Sequence, residues 1–288
     1  MTEASRSAAV SAAPTSATNQ PGGEPSLSPL AVRWHKPVFI LFLVSFAVSW
    51  TRLWLDPSST ASWLDGGLFC AGALTALLGL ARRLPMQNVL MAGALIALMA
   101  TIVTTIGALS GVPFGPLIFT ERLGWRIFGE VPWPLPLFWI VVIVSGRGVA
   151  RLIVRPWRRT NFYGFWVIGL TCLLAVLMDV GLEPFAVKVR GYWWWRTPPS
   201  VLAWHNAPWV NFPGWFSTAL GMLAFTMPWL INKRPVKQPR DYHPLIVWLL
   251  FNLYFMTGNA LKGLWWAAGI GLCLCVVTAS YAIRGARW

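Results

Sequence analysis

Eight apolar stretches, each close to the length a helix needs to cross a bilayer, follow one another along the chain at 37–55, 64–81, 88–109, 134–154, 162–182, 213–232, 243–258 and 261–283. About 20 residues span the roughly 30 Å hydrocarbon layer as an α-helix. Lipid offers no partner to backbone N–H and C=O groups, so runs of this kind become helices that bond internally. Of 288 residues 56% are hydrophobic and only 11% charged, and the mean hydropathy is +0.58. The expected fold is therefore all-α, a polytopic transmembrane helical bundle of about eight spans. The segment 243–258 is short and borders Asn259, so it and the last stretch also read as a tilted hairpin. Residues 1–30 are rich in Ala, Ser, Thr, Pro and Gly and read as a disordered N-terminal tail. They lack the cationic and contiguous apolar regions of a signal peptide. Residues 31–288 form a single integral membrane helical domain in this reading.

The formal net charge is +14, which in a soluble protein would suggest nucleic acid. Here the basic residues stand in short clusters between apolar runs, a pattern that directs membrane topology. No basic face or basic and aromatic platform is present, so no nucleic-acid partner is expected. Strict alternation of eight spans places 16 of the 23 Lys and Arg residues on one side and 7 on the other. The positive-inside rule then puts both termini in the cytoplasm, in a multi-pass protein of the bacterial inner membrane. On the opposite side lie Asp56, Asp65, Glu121, Glu130, Asp179 and Glu183, together with the two longest connections, 110–133 and 183–212.

One of those connections belongs to the most unusual stretch of the chain, Asp179 to Phe216. It opens on two carboxylates, Asp179 and Glu183, and continues through six tryptophans, Trp193, Trp194, Trp195, Trp204, Trp209 and Trp215, with His205, Asn206 and Asn211 among them. Indole rings favour the headgroup region, so an aromatic belt explains the tryptophans. It does not explain acids at the edge of an apolar run, which are costly there unless solvated or used. Four residues apart, the two carboxyls share a helical face. Pro184 disfavours helical geometry at Glu183, so the helix is expected to end there. A purely structural alternative bonds the pair to Lys188, Arg190 or Arg196.

The other connection opens on Gly111-Val-Pro-Phe-Gly115, which reads either as a simple turn or as a re-entrant segment carrying Phe114 towards an apolar ligand. Cys70, Cys172, Cys273 and Cys275 all fall within apolar stretches, where cysteine behaves as a small hydrophobe. His35, His205 and His243 make no helical ligand pair, and no metal site is expected. Neither a phosphate-binding glycine loop nor a dinucleotide fingerprint is present.

Taken in order, Gly111-Val-Pro-Phe-Gly115, Val131-Pro132 with Trp139, Asp179-Val-Gly-Leu-Glu183-Pro184, Gly191-Tyr-Trp-Trp-Trp195 and Ala207-Pro-Trp-Val-Asn-Phe-Pro-Gly-Trp-Phe216 resemble the bacterial and archaeal carotenoid biosynthesis membrane proteins that include the carotenoid hydratases. The resemblance covers about 90–232. The chain departs from the family pattern at Thr104 and Thr105, where a carboxylate is frequent, at Leu117 and Phe119, where tyrosines are usual, and at His205-Asn206, where a Tyr-Gly pair is common.

The resemblance implies a hydratase that adds water across the terminal C1=C2 double bond of an acyclic, lycopene-like carotenoid to give a tertiary alcohol, with no cofactor. Such chemistry needs a proton donor, stabilisation of a tertiary cation and a placed water. Asp179 is the expected donor, Glu183 the group that orients and deprotonates water, and Asn211 a hydrogen-bonding partner of the water or product. Phe114, Trp193, Trp195, Trp204, His205, Trp209 and Trp215 are the candidate substrate-binding residues, aromatic faces offering cation–π stabilisation. Partners are then an acyclic carotenoid, the bilayer and other carotenoid enzymes. The rival reading is a non-enzymatic carotenoid- or lipid-binding protein or a transporter, which would need the apolar site but no acids.

Overall fold

The computed structural model describes residues 29–57, 62–231 and 240–288. Within these residues eight α-helices run in chain order: α1 Pro29–Leu55, α2 Ser62–Ala81, α3 Met86–Ser110, α4 Pro134–Ile153, α5 Tyr163–Pro184, α6 Asn211–Leu230, α7 His243–Leu261 and α8 Trp265–Ala286. They match the eight apolar stretches one for one. Seven are long and apolar enough to cross a membrane; α6, with Asn211, Pro213 and Pro228 in its sequence, is the exception. The chain is a multi-pass helical membrane bundle. The expected disordered tail lies outside the described residues except for Pro29 and Leu30, which open α1.

Helix α4 is the hub, packing against α2, α3, α5, α7 and α8. Its apolar run faces neighbours all round: Phe138, Val141, Ile143, Val149 and Ala150 are fully buried, as expected of a segment that is hydrophobic on every side. α1 and α8 instead present many apolar side chains outward, among them Ile40, Val44, Leu272 and Val276. In a membrane protein that surface meets lipid.

Among the described residues six short strands decorate one end of the bundle: β1 Leu117–Phe119, β2 Arg126–Ile127, β3 Val131–Pro132, β4 Trp193–Trp195, β5 Ala203–Trp204 and β6 Ala207–Pro208. β1 and β4 pair antiparallel across the two long connections, with Leu117 opposite Trp195, Ile118 opposite Trp194 and Phe119 opposite Trp193. Side chains alternate across a strand. Hence Leu117, Phe119, Trp193 and Trp195 are buried while Trp194 is 47% exposed and carries the Arg196 guanidinium over its ring.

The two ends of the bundle are held by different polar clusters. Beside the strands, Asp65 of α2 accepts from the hydroxyls of Tyr192 and Tyr254, each at 2.6 Å, and pairs with Arg190, which also donates to Tyr254. At the far end Asp241 binds Arg83 at 3.3 Å and the His243 Nδ1 at 2.6 Å. Burial pushes the Asp241 carboxyl upward, but its hydrogen bonds with His243 and the Arg83 charge outweigh this and bring it down to about 2.

Candidate active site

At the C-terminal end of α5 the chain does not stop at Glu183. The α-helix runs through Pro184 and passes into a π-helical turn, Phe185–Arg190, that closes on Gly191 in the left-handed conformation. Proline has no N–H, so Val180, four residues earlier, loses the helical donor for its carbonyl. The Trp204 indole N–H supplies one at 3.0 Å, and Asn259 of α7 donates to the adjacent Gly181 carbonyl at 2.9 Å. Neighbouring groups that re-bond freed carbonyls are what makes a proline tolerable at membrane depth. The expectation of a helix end at Glu183 is thus corrected: the carboxyls lie within continuous helix.

Asp179 and Glu183 are 0% and 1% exposed. Asn211, the first residue of α6, joins them: its Nδ2 donates to Asp179 Oδ2 at 2.6 Å and to Glu183 Oε1 at 3.1 Å. The other Glu183 oxygen, Oε2, accepts the indole N–H groups of Trp193 at 3.1 Å and Trp195 at 2.9 Å. Glu183 therefore accepts three N–H groups, an arrangement suited to an ionised carboxylate. Asp179 Oδ1 has no hydrogen-bond partner among the described residues.

Glu183 and Asn211 form the polar wall of a cavity of about 30 Å³. Around it stand Thr104 of α3, Phe114 of the turn that follows α3, Leu117 and Phe119 of β1, Leu135 and Trp139 of α4, Trp193 and Trp195 of β4, and Trp215 of α6. Trp139 and Trp215 stack at 4.3 Å. The volume is large enough for a water molecule and is roughly tenfold below the 300 Å³ at which small-molecule sites begin.

The Gly111–Gly115 segment is a turn that also delivers a side chain. Gly111 caps α3 at φ 76°, and Phe114, 5% exposed, reaches the cavity wall. Gly214 of α6 lets the turn close in, because a Cβ there would meet the Pro113 carbonyl oxygen at 2.7 Å.

Of the residues singled out from sequence, Phe114, Glu183, Trp193, Trp195, Asn211 and Trp215 meet at this cavity, and Asp179 joins them through Asn211. Trp204, His205 and Trp209 do not line it. Trp204 serves the Val180 carbonyl, and Trp209, 52% exposed, rests its ring against Phe212. His205 and Asn206, at φ 48° and 78°, are the turn between β5 and β6, the two-residue hairpin that demands positive φ at both positions. His205 packs edge-on to Trp204, and burial followed by the Lys188 charge holds its imidazole below the usual range. Thr104, Leu117, Phe119, Leu135 and Trp139 were not among the candidates. Three of them, Thr104, Leu117 and Phe119, are positions where the sequence departs from the family pattern, which was the available signal.

The site is thus a buried acid pair, clamped by an amide and two indoles beside a largely apolar cavity, in a helical membrane bundle. The sequence model of the carotenoid biosynthesis protein family matches residues 66–278, and the chain belongs to that family. It is also 28% identical over 123 residues to the bisanhydrobacterioruberin hydratase of Haloarcula japonica. That similarity spans 42% of this chain and 39% of the relative. No solved structure matches the chain.

Proposed function

We propose that this carotenoid biosynthesis protein is a hydratase, adding water across the terminal C1=C2 double bond of an acyclic carotenoid. The observation that carries this reading is the contact of Glu183 with the cavity while Asn211 ties it to Asp179. The sequence similarity to a hydratase supports it.

Hydration of a trisubstituted alkene begins with a proton on the less substituted carbon. The acid pair is the proton store: Asp179, whose Oδ1 has no hydrogen-bond partner among the described residues, carries the proton at rest, and the proton reaches the alkene through Glu183, the carboxyl that borders the cavity. Asp179 lies behind it and holds the pair's second carboxyl, so its role is to share the proton rather than to touch the alkene. Protonation leaves a tertiary cation, which the faces of Trp193, Trp195 and the Trp139–Trp215 stack stabilise by roughly 0.5–2 kcal/mol each. Water then adds to the cation, and its surplus proton returns to the acid pair, so the pair ends as it began. Asn211 keeps the two carboxyls in one arrangement throughout. An isoprenoid end is larger than the cavity, so it displaces part of the apolar wall when it binds.

The substrate is a carotenoid, drawn from the bilayer of the bacterial inner membrane. A scaffold that only binds carotenoid would use the same aromatics without needing paired acids. Pigment chromatography of a lycopene-making host with and without the gene separates the two. Pigment heavier by one water is the expected result, and unchanged pigment at normal protein level contradicts the hydratase reading.

A further inference from the structure

We propose that Trp204 is a positioning residue for the acid pair: its indole N–H replaces the backbone donor that Pro184 lacks and so sets the geometry of the α5 turn bearing Asp179 and Glu183. The assignment of what is positioned rests on the hydratase reading; the contact itself does not.

Three observations meet here. Pro184 directly follows Glu183, and the α-helical partner of the Val180 carbonyl is residue 184; a proline there has no hydrogen to give and crowds that carbonyl. Val180 lies between the two acids in sequence, one residue after Asp179 and three before Glu183, so a shift of its peptide plane moves both carboxyls. The replacement donor comes from outside the helix, from the β5–β6 hairpin, whose two-residue turn uses positive φ at both His205 and Asn206 and so holds Trp204 in place beside α5. The hairpin leads through Ala207–Pro208 into Asn211, the residue that bridges the acids. One short segment thus supplies both the bridge between the carboxyls and the bond that fixes the turn carrying them.

If the indole stands in for a missing amide, restoring the amide makes it dispensable. Pro184→Ala returns an N–H to the helical position facing the Val180 carbonyl. The test is a cycle of four purified proteins, the parent, Trp204→Phe, Pro184→Ala and the double variant, each measured for kcat and KM on an acyclic carotenoid in detergent and for thermal unfolding. Trp204→Phe keeps an aromatic ring but has no N–H. It is expected to lower kcat by about tenfold or more while KM stays within about twofold, the pattern of an interaction that matters at the chemical step. The double variant is expected to recover most of that loss relative to Pro184→Ala. Loss of kcat in Trp204→Phe of less than about twofold, or a double variant no better than the sum of its parts, overturns the proposal. Should Trp204→Phe fail to accumulate, the double variant decides: accumulation supports the substitution of one donor for another, and continued absence refutes it. A parent that converts nothing counts against the hydratase reading alone, because the unfolding cycle still reports whether the indole and the restored amide are interchangeable.

Discussion

At the scale of single residues, the site is a contest over two carboxylate groups in an apolar interior. Burying a charge is costly unless donors meet it, and Glu183 is met by Trp193, Trp195 and Asn211. Asp179→Asn and Glu183→Gln keep shape but cannot exchange a proton. In the hydratase reading Glu183→Gln loses about 10²–10⁴-fold in conversion at normal membrane abundance, and Asp179→Asn is also impaired because the shared proton has lost one of its sites. Trp195→Phe removes one N–H from a carboxylate, worth about 1.5–3 kcal/mol, and should slow conversion roughly tenfold or more. Trp194→Phe should be mild, since that indole faces outward. Pigment ratios normalised to protein level check all four. The sequence made much of this site legible. The spacing of Asp179 and Glu183 put them on one face, and Trp193, Trp195 and Asn211 stood among the candidates that meet them. What it could not carry was the work of Trp204: an indole bonded to a carbonyl 24 residues away leaves no periodic mark. His205 looked like a site residue because histidine so often is one, whereas here turn geometry uses it.

At the scale of elements, helices were readable because each must satisfy its own backbone in lipid, and so each leaves a run of apolar residues. The strands were not, since two or three residues joined across 74 positions, as β1 and β4 are, carry no local signal. The same holds for the Asp65–Arg190–Tyr192–Tyr254 cluster, assembled from α2, the π-helical turn, the strand region and α7. Proline before a helix end is a good rule in water, but the membrane-embedded end of α5 overrode it with outside donors. The far-end clamp makes a pH prediction. The Asp241 carboxyl is held at about 2, below the roughly 3.9 of an unfolded aspartate. A lowered value stabilises the fold above the unfolded value and loses that contribution as pH falls towards the folded one. Thermal unfolding in detergent should therefore weaken between about pH 4 and pH 2. Asp241→Asn should unfold at lower temperature at neutral pH and show a shallower fall over that window, whereas an unchanged slope would mean the clamp contributes nothing.

At the scale of the whole molecule, the bundle sorts its chemistry to one end. The long connections, the strands and the acid pair gather there, and the Arg83–Asp241 clamp and most of the described basic residues lie at the other. With the basic end in the cytoplasm by the positive-inside rule, reporters fused after Arg159 and after Arg196 are expected on opposite sides of the membrane. If both report the cytoplasm, α5, the helix between the two fusion points, does not cross, and alternate crossing by eight helices is wrong. The site would then receive its substrate from the bilayer and its water through the end of the bundle that carries the strands. The most direct measurement follows the oxygen atom. Purified protein is given an acyclic carotenoid in water enriched in heavy oxygen, and the pigment is analysed by mass spectrometry. Hydration predicts a product that carries one solvent oxygen per reacted end, formed by the parent and sharply reduced in Glu183→Gln. Pigment recovered unchanged from well-folded parent protein, or a product whose oxygen does not come from the solvent, would contradict it.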